Sequence, residues 1–249
     1  TAVYTSQPVR QGQVLSVLVG DTERRSGILS APGELKLVYE DEDLVIVDKA
    51  PGMLVHPRYG HTDDTVGNFL LYHYDTEGLA ADFHPVHRLD KGTSGLMAVA
   101  KHAHAQEALK AALHTPDFRR LYLAVCEGTP SPAQGVVDAP IALLPGSAVK
   151  RGVLPGGQAA RTSYEVLRTC AGRALLRLEL FTGRTHQIRV HMAHLGHPLT
   201  GDFLYGTEDT ALIPRPALHA AFLSLRHPVT REVLTFSSPL PEDIRRLIG

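Results

Sequence analysis

The sequence predicts an α+β fold: a mixed, mainly antiparallel central sheet flanked by helices. Three observations lead there. Apolar residues alternate with period two over many short segments. These segments follow one another through Gly, Pro and Asp turns rather than alternating with helices. Only three stretches carry helical spacing.

In chain order, residues 1–35 read as an arm or linker, with one possible strand inside PVRQGQVLSVLVGD. LVYE and LVIVDK then predict two strands joined by an acidic turn at 40–43, and Ala50-Pro51-Gly52 makes a further turn. TVGNFLLYHY suits a short helix with Phe69, Leu70 and Tyr74 among its apolar positions. Residues 83–90 and 96–100 read as strands. HAQEALKAALH is a good helix, stopped near Pro116. FRRLYLAVCEG predicts a strand with Leu121, Leu123 and Val125 on one face and Tyr122, Ala124 and Cys126 on the other. The Pro/Gly-rich region 128–160 is expected to be mostly loops. TSYEVLRT and ALLRLELF alternate like antiparallel strands, with Leu176, Leu178 and Leu180 facing one way. A third helix is expected over 185–195, with Thr185 as N-cap, Gly196 just past the C-cap, and Ile188, Met192 and Leu195 as its buried stripe. ALHAAFLSLRHPVTREVLTF closes the chain as strand, turn at 227–230, and strand.

Composition narrows the function. The 249 residues are 43% hydrophobic and 20% charged, enough to fold unaided. No run of roughly 18 apolar residues is present to span a membrane, and the first residues lack the apolar core of a secretory signal. Two isolated cysteines, Cys126 and Cys170, fit a reducing cytoplasmic setting. The formal net charge is −1, which argues against strong nonspecific binding of nucleic acid. The charge is unevenly spread, however. Residues 1–100 hold 8 Lys and Arg against 14 Asp and Glu, whereas residues 150–189 hold 8 against 2. That basic segment either touches phosphates or forms a solvated face on strands.

Two stretches carry chemistry. In VHRLDKGTSGL, residues 86–96, Asp90 stands at the mouth of a small-residue turn and shares a face with Arg88. The plain reading is an Asx-type turn with a weak surface ion pair. In LELFTGRTHQIRVHMAHLGHPLTGD, residues 178–202, Arg189 falls early in a helix, where the dipole favours anions. It is either a solvated arginine or the partner of a specific anion, for which Asp90 and a phosphate are both candidates. A carboxylate used as nucleophile or base must be ionised, and a cation within about 4–6 Å favours that form. Arg suits this better than Lys because it stays charged when desolvated and grips a carboxylate as a fork.

These stretches closely resemble two signature segments of the RluA-type RNA pseudouridine synthases. So do FRRLYLAVCEG at 118–128, LVYEDEDLVIVDKAPGMLVHP at 37–57 and LHAAFLSLRHPVT at 218–230. The resemblance covers residues 36–249, with the five segments in the family's order. It implies the pseudouridine synthase fold, with residues 36–249 as its catalytic domain, and isomerisation of a uridine in structured RNA, ribosomal or transfer RNA, without cofactor or metal. It further implies that Asp90 is the indispensable group, that Arg189 pairs with it, and that Tyr122 packs on the target base. Arg88 would fill space or contact RNA where the base leaves the stack, and Leu218 would help line the pocket. His87, Thr93, Arg184, His186 and Gln187, from the two signatures, are expected to bind substrate. Gly92, Ser94 and Gly95 would let the chain bend close to it. Attack at C1′ of the ribose and proton removal from C2′ are both open to one ionised carboxylate.

An interior uridine must be extruded to meet Asp90, at a cost of a few kcal/mol, and stacking on an aromatic face recovers about 1–3 kcal/mol. Many relatives carry a small N-terminal S4-type RNA-binding domain. Residues 1–35 are too short for one, so they read as the tail of such a domain or as a short arm. The protein is expected to be a cytoplasmic monomer with RNA as its partner and no membrane. Two rival readings are a catalytically silent RNA-binding protein on the same scaffold and a metal-dependent hydrolase using His186, His191, His194 and Asp202.

Overall fold

The structure, a computed structural model, describes residues 8–14 and 23–249. Most of the possible strand within residues 8–21 lies outside the described residues.

A hairpin opens the sheet, β1 (Lys36–Glu40) and β2 (Leu44–Lys49), followed by α1 (Val66–Thr76), β3 (His84–Pro85), β4 (Ser94–Ala100), α2 (Ala103–Ala112) and β5 (Phe118–Glu127). Then come β6 (Gln134–Asp138), β7 (Ile141–Leu143), β8 (Arg151–Val153), β9 (Arg161–Cys170), β10 (Arg173–Leu180), α3 (Gln187–His194), β11 (Leu218–Arg226), β12 (Val233–Ser237) and α4 (Glu242–Arg245). Ten strands form one sheet in the order β1-β2-β4-β11-β5-β10-β9-β6, with β12 on β11 and β3 on β4. Pairing is antiparallel except between β4 and β11.

Alternation assigns each strand's two faces to separate cores. Val45, Val47, Met97, Val99, Tyr122, Ala124, Leu176 and Leu178 join Leu70, Leu71 and Tyr74 of α1 and Ile188 and Met192 of α3. Leu44, Ile46, Leu96 and Ala98 point the other way, to Ala105 and Leu109 of α2. Leu70 and Leu71 are fully buried, each contributing about 1.5–3 kcal/mol. Thr65 caps α1 in a reciprocal box with Asn68. The Asn68 side-chain amide also donates to Leu29 O at 2.7 Å and to Thr62 O at 2.8 Å.

Three expectations need correction. The segment after Arg24 is not detached: Arg24 Nε donates to Ala81 O, the Asp82 carboxylate accepts from Arg25 N and Ser26 N, and Ile28 and Leu35 pack on the main core. The strand expected over 83–90 shrinks to His84–Pro85, because the chain leaves the sheet to form the turn that carries Asp90. Region 128–160 is mostly loops, as expected, and holds three short strands within them, β6, β7 and β8. The third helix begins at Gln187, capped by His186 rather than Thr185, and Leu195 is exposed instead of completing the buried stripe.

Candidate active site

The turn bearing Asp90 closes with Thr93 N donating to Asp90 O at 3.0 Å. Two buried cations hold it through its backbone carbonyls. Lys49, 1% exposed, donates from Nζ to Ala50 O (2.8 Å), Met53 O (2.9 Å) and Lys91 O (3.3 Å). Burial pulls its ammonium down to about 7; the Asp90 carboxylate holds it up and Arg215 pushes it further down. Arg215 donates from Nη1 to Gly92 O, Ser94 Oγ and Leu218 O, while Nε and Nη2 grip Asp243 at the start of α4. Gly95, at φ +108°, lets β4 lie against β11, since a Cβ there would sit 2.3 Å from Ala220 O. Gly92 likewise faces Pro216. A Cβ at either glycine would meet the β11 side of the fold, and Gly92 also lines the wider groove beside Asp90.

Arg189 comes to Asp90 from α3, its Nη1 3.8 Å from Asp90 Oδ2. The fork expected to grip Asp90 goes instead to Asp202, with Nε to Oδ2 and Nη2 to Oδ1 both at 2.7 Å. Asp202 is fully buried and also accepts from Leu204 N and Tyr205 N. Burial opposes the Arg189 charge, but the Asp202 carboxylate overrides it and holds the guanidinium above its ordinary range. The guanidinium lies over Tyr205 (5.1 Å) and Phe203 (5.6 Å). His186, in the left-handed region at φ 60°, bonds Tyr205 Oη through Nδ1 at 2.8 Å. Burial lowers its pKa against the pull of Asp90, which favours the neutral ring.

Asp90 stands where two spaces meet. A narrow cavity of about 60 Å³ is lined by Tyr122, Leu218, Leu89, Leu180, Arg184 and Ile188, among others. A wider groove of about 550 Å³ runs past Arg58, Lys91, Val149, Thr185 and Phe203. Arg88, Asp90, Thr93, His186 and Arg189 line both. The Asp90 side chain is 23% exposed, and among the described residues its carboxylate accepts no hydrogen bond. Its lone pairs are therefore free to act as base or nucleophile, next to a guanidinium fixed from behind.

The RNA pseudouridylate synthase family model matches residues 43–194. The chain belongs to this family. YjbO, an uncharacterized RNA pseudouridine synthase of Bacillus subtilis, is 42% identical over 96% of this chain and 84% of its own length. Ribosomal large subunit pseudouridine synthase D of Pseudomonas aeruginosa is 40% identical over 94% of this chain and 77% of its own. Among solved structures, human RNA pseudouridylate synthase domain containing 4 superimposes with TM-score 0.68 at 27% identity, covering 85% of this chain and 92% of that one. The chain is thus an RNA pseudouridine synthase, an isomerase acting on RNA, as its five segments predict.

Within this synthase, Asp90, Arg189, Tyr122, Arg88, Thr93, Arg184, His186 and Leu218 converge on one cleft. Two expected substrate ligands do not offer their polar atoms to it. His87 accepts from Ala98 N through Nε2 at 3.2 Å and meets the Phe118 ring edge-on; burial and then Arg120 push its pKa down to about 3. Gln187 is a brace. Its Oε1 accepts from Thr182 Oγ1 and Arg184 N, and its Nε2 donates to Arg161 O and Thr162 Oγ1, so it has no donor left for RNA.

The metal set proposed for a hydrolase does not converge. Asp202 serves Arg189, His191 bonds Thr162 Oγ1 and Ala139 O, and His194 is exposed. The basic segment also divides. Arg173 pairs with Glu127, Arg177 with Glu165, and Arg168 donates to the Gly249 carbonyl, while Arg184 and Arg189 line the cavity. Lys49, Arg215 and Asp202 went unread as site residues because each acts on the site through another group. Asp202 had been read only as a metal ligand.

Among the described residues no helix is long and apolar enough to cross a membrane.

Proposed function

We propose that Asp90 is the catalytic group of this synthase and that its substrate is ribosomal RNA, with transfer RNA as the second choice. The observation that carries the first part is the unbonded Asp90 carboxylate at the junction of cavity and groove, 3.8 Å from an arginine held by a separate buried acid. The second part rests on the names of relatives such as the Pseudomonas aeruginosa enzyme.

In this reading the groove takes the RNA strand and the cavity takes a uracil swung out of its stack. The Tyr122 ring stacks on the base, Leu218 closes the apolar wall, and the exposed Arg88 stands at the mouth to occupy the vacated space. Thr93, Arg184 and His186 border the base or its sugar. As it stands, the cavity of about 60 Å³ has room for about two waters, so side chains at its mouth shift when a pyrimidine enters. Asp90 then serves either at C1′ or at the C2′ proton, and neither route needs a metal or cofactor. The catalytic unit is residues 36–249 together with the packed strap from Arg24, and it acts as a monomer.

The test is a map of pseudouridines in total RNA from cells lacking the protein, complemented with wild type or with Asp90→Asn. Wild type restores specific ribosomal positions and the variant does not. Sites restored only in transfer RNA would overturn the substrate choice, and restoration by Asp90→Asn would overturn the catalytic assignment.

A further inference from the structure

One cationic cluster at the edge of the site pairs with no carboxylate among the described residues. Arg120 lies on β5 two residues before Tyr122, on the same face of the strand, and is only 4% exposed. Its Nε and Nη2 are buried without a hydrogen-bond partner. Among the described residues it forms no ion pair, and its one recorded cation–π contact is the Phe118 ring, 5.9 Å from the guanidinium carbon. Arg184 also forms no ion pair among the described residues; its Nε is anchored on Ala159 O at 3.0 Å, and it lines the cavity beside Tyr122. His114 completes the group, its pKa lowered by burial, then by Arg120 and Arg184.

The cluster opens to solvent at Gly183, which is exposed. A Cβ at that position would lie 3.5 Å from Arg120 Nη1 and 3.9 Å from His114 Cε1, in the space between them.

A buried guanidinium without an anion is strongly destabilising. Arg120 lies almost fully buried near a second arginine, and an anion there would supply the charge it lacks. Guanidinium forks match the paired oxygens of a phosphate, and Arg120 Nε and Nη2 are already desolvated. Arg184 belongs to both the cluster and the cavity, so the anion within reach is the backbone of the RNA whose base occupies the cavity. We propose that Arg120, Arg184 and His114, reached past Gly183, form a phosphodiester subsite for the strand carrying the target uridine. This rests on the RNA synthase reading above.

The probe is an unmodified transcript of large-subunit ribosomal RNA, with binding measured between about 50 and 200 mM salt. Arg120→Met is expected to weaken binding about tenfold or more and to lower the log–log salt slope by roughly 0.7–0.9, the loss of one phosphate contact. The free variant should unfold at the same temperature as wild type or higher, because a buried unpaired charge is gone. Gly183→Ala fits at ordinary contact distance, so it should keep wild-type stability and still weaken RNA binding. A purely structural Arg120, satisfied by water, gives the opposite pattern: affinity and salt slope of both variants equal to wild type, or Arg120→Met destabilised with Gly183→Ala binding normally. Either result overturns the subsite. Wild type that binds the transcript without forming pseudouridine overturns the substrate choice alone, and the slopes still decide the subsite. Wild type that does not bind overturns both.

Discussion

Arg189 gives both ends of its fork to Asp202, at 2.7 Å each, and reaches Asp90 only through its remaining nitrogen at 3.8 Å. The arrangement separates two demands. The buried Asp202 fixes the guanidinium and neutralises it, while Asp90 feels a positive neighbour without surrendering a lone pair to it. A direct fork onto Asp90 would hold the carboxylate just as firmly but would occupy the oxygens the reaction needs. If Asp90 is the catalytic group, as proposed, Asp202 is a positioning residue that acts on it through Arg189.

Asp202→Asn should therefore disturb both stability and catalysis. Asn keeps an oxygen for Leu204 N and Tyr205 N but removes the charge, leaving a buried guanidinium half-compensated. Breaking such a pair costs about 3–5 kcal/mol. Freed from its anchor, Arg189 turns onto Asp90, and turnover should fall about tenfold to a hundredfold with little change in RNA affinity. Urea unfolding and single-turnover assays check this. Wild-type turnover in the variant would remove Asp202 from the site's machinery.

Asp90→Asn keeps the shape of the turn, which is held through backbone carbonyls by Lys49 and Arg215 rather than through the Asp90 side chain. Its fold and most of its RNA affinity should survive, while isomerisation drops at least about a thousandfold, roughly 4 kcal/mol in the barrier. Tritium release from labelled uridine RNA and filter binding measure the two quantities. A variant within tenfold of wild type would place the chemistry elsewhere.

Much of this was legible in the sequence where local pattern decides structure. Period-two alternation marked β5, β9 and β10 as strands, with the faces of β5 and β10 as expected, and the HRLD and HQIR segments pointed to Asp90 and Arg189, which the fold brings 3.8 Å apart. What was hidden depended on contacts between distant residues. Nothing within LVIVDK says that Lys49 turns inward, to Ala50 O and Met53 O nearby and to Lys91 O of the Asp90 turn. Helical spacing put Leu195 on the buried stripe, yet α3 ends at His194 and the side chain faces solvent. His87 and Gln187 sit in the signature segments beside true cleft residues, but their hydrogen bonds turn back into the protein. A motif gives proximity along the chain; which neighbours face the cleft is decided by packing.

His87 supplies an acid-sensitivity prediction. Burial, aided by Arg120, puts its folded pKa at about 3, below its ordinary value of 6.5. As pH falls from 6.5 toward 3 the unfolded chain takes up a proton that the folded protein refuses. Stability is then lost by up to about 1.4 kcal/mol per pH unit, with no further loss from this group below about 3. His87→Gln can still accept from Ala98 N without titrating. Its unfolding free energy, measured between about pH 7 and 4.5, should decline less steeply than that of wild type. Parallel curves would contradict a neutral, buried His87.

Lys49 makes the opposite end of the pH range informative. Its ammonium is drawn down from 10.5 to about 7, chiefly by burial, with Asp90 as the charge that resists the fall. Between those values the unfolded chain holds a proton that the folded protein gives up, so this group's contribution to stability rises with pH by up to about 1.4 kcal/mol per unit. Below about 7 both states are protonated, and the cost of burying the charge is present in full and constant. Lys49→Met lacks this titration. The stability of wild type minus that of the variant should therefore be flat in mild acid and climb through the alkaline range. In the Asp90→Asn background the resisting charge is gone, so the climb should begin at lower pH. Urea unfolding at intervals from pH 6 to about 9.5 resolves both effects. A difference that does not change with pH would show that Lys49 stays charged throughout. An onset unmoved by Asp90→Asn would show that the two groups do not sense each other across the turn.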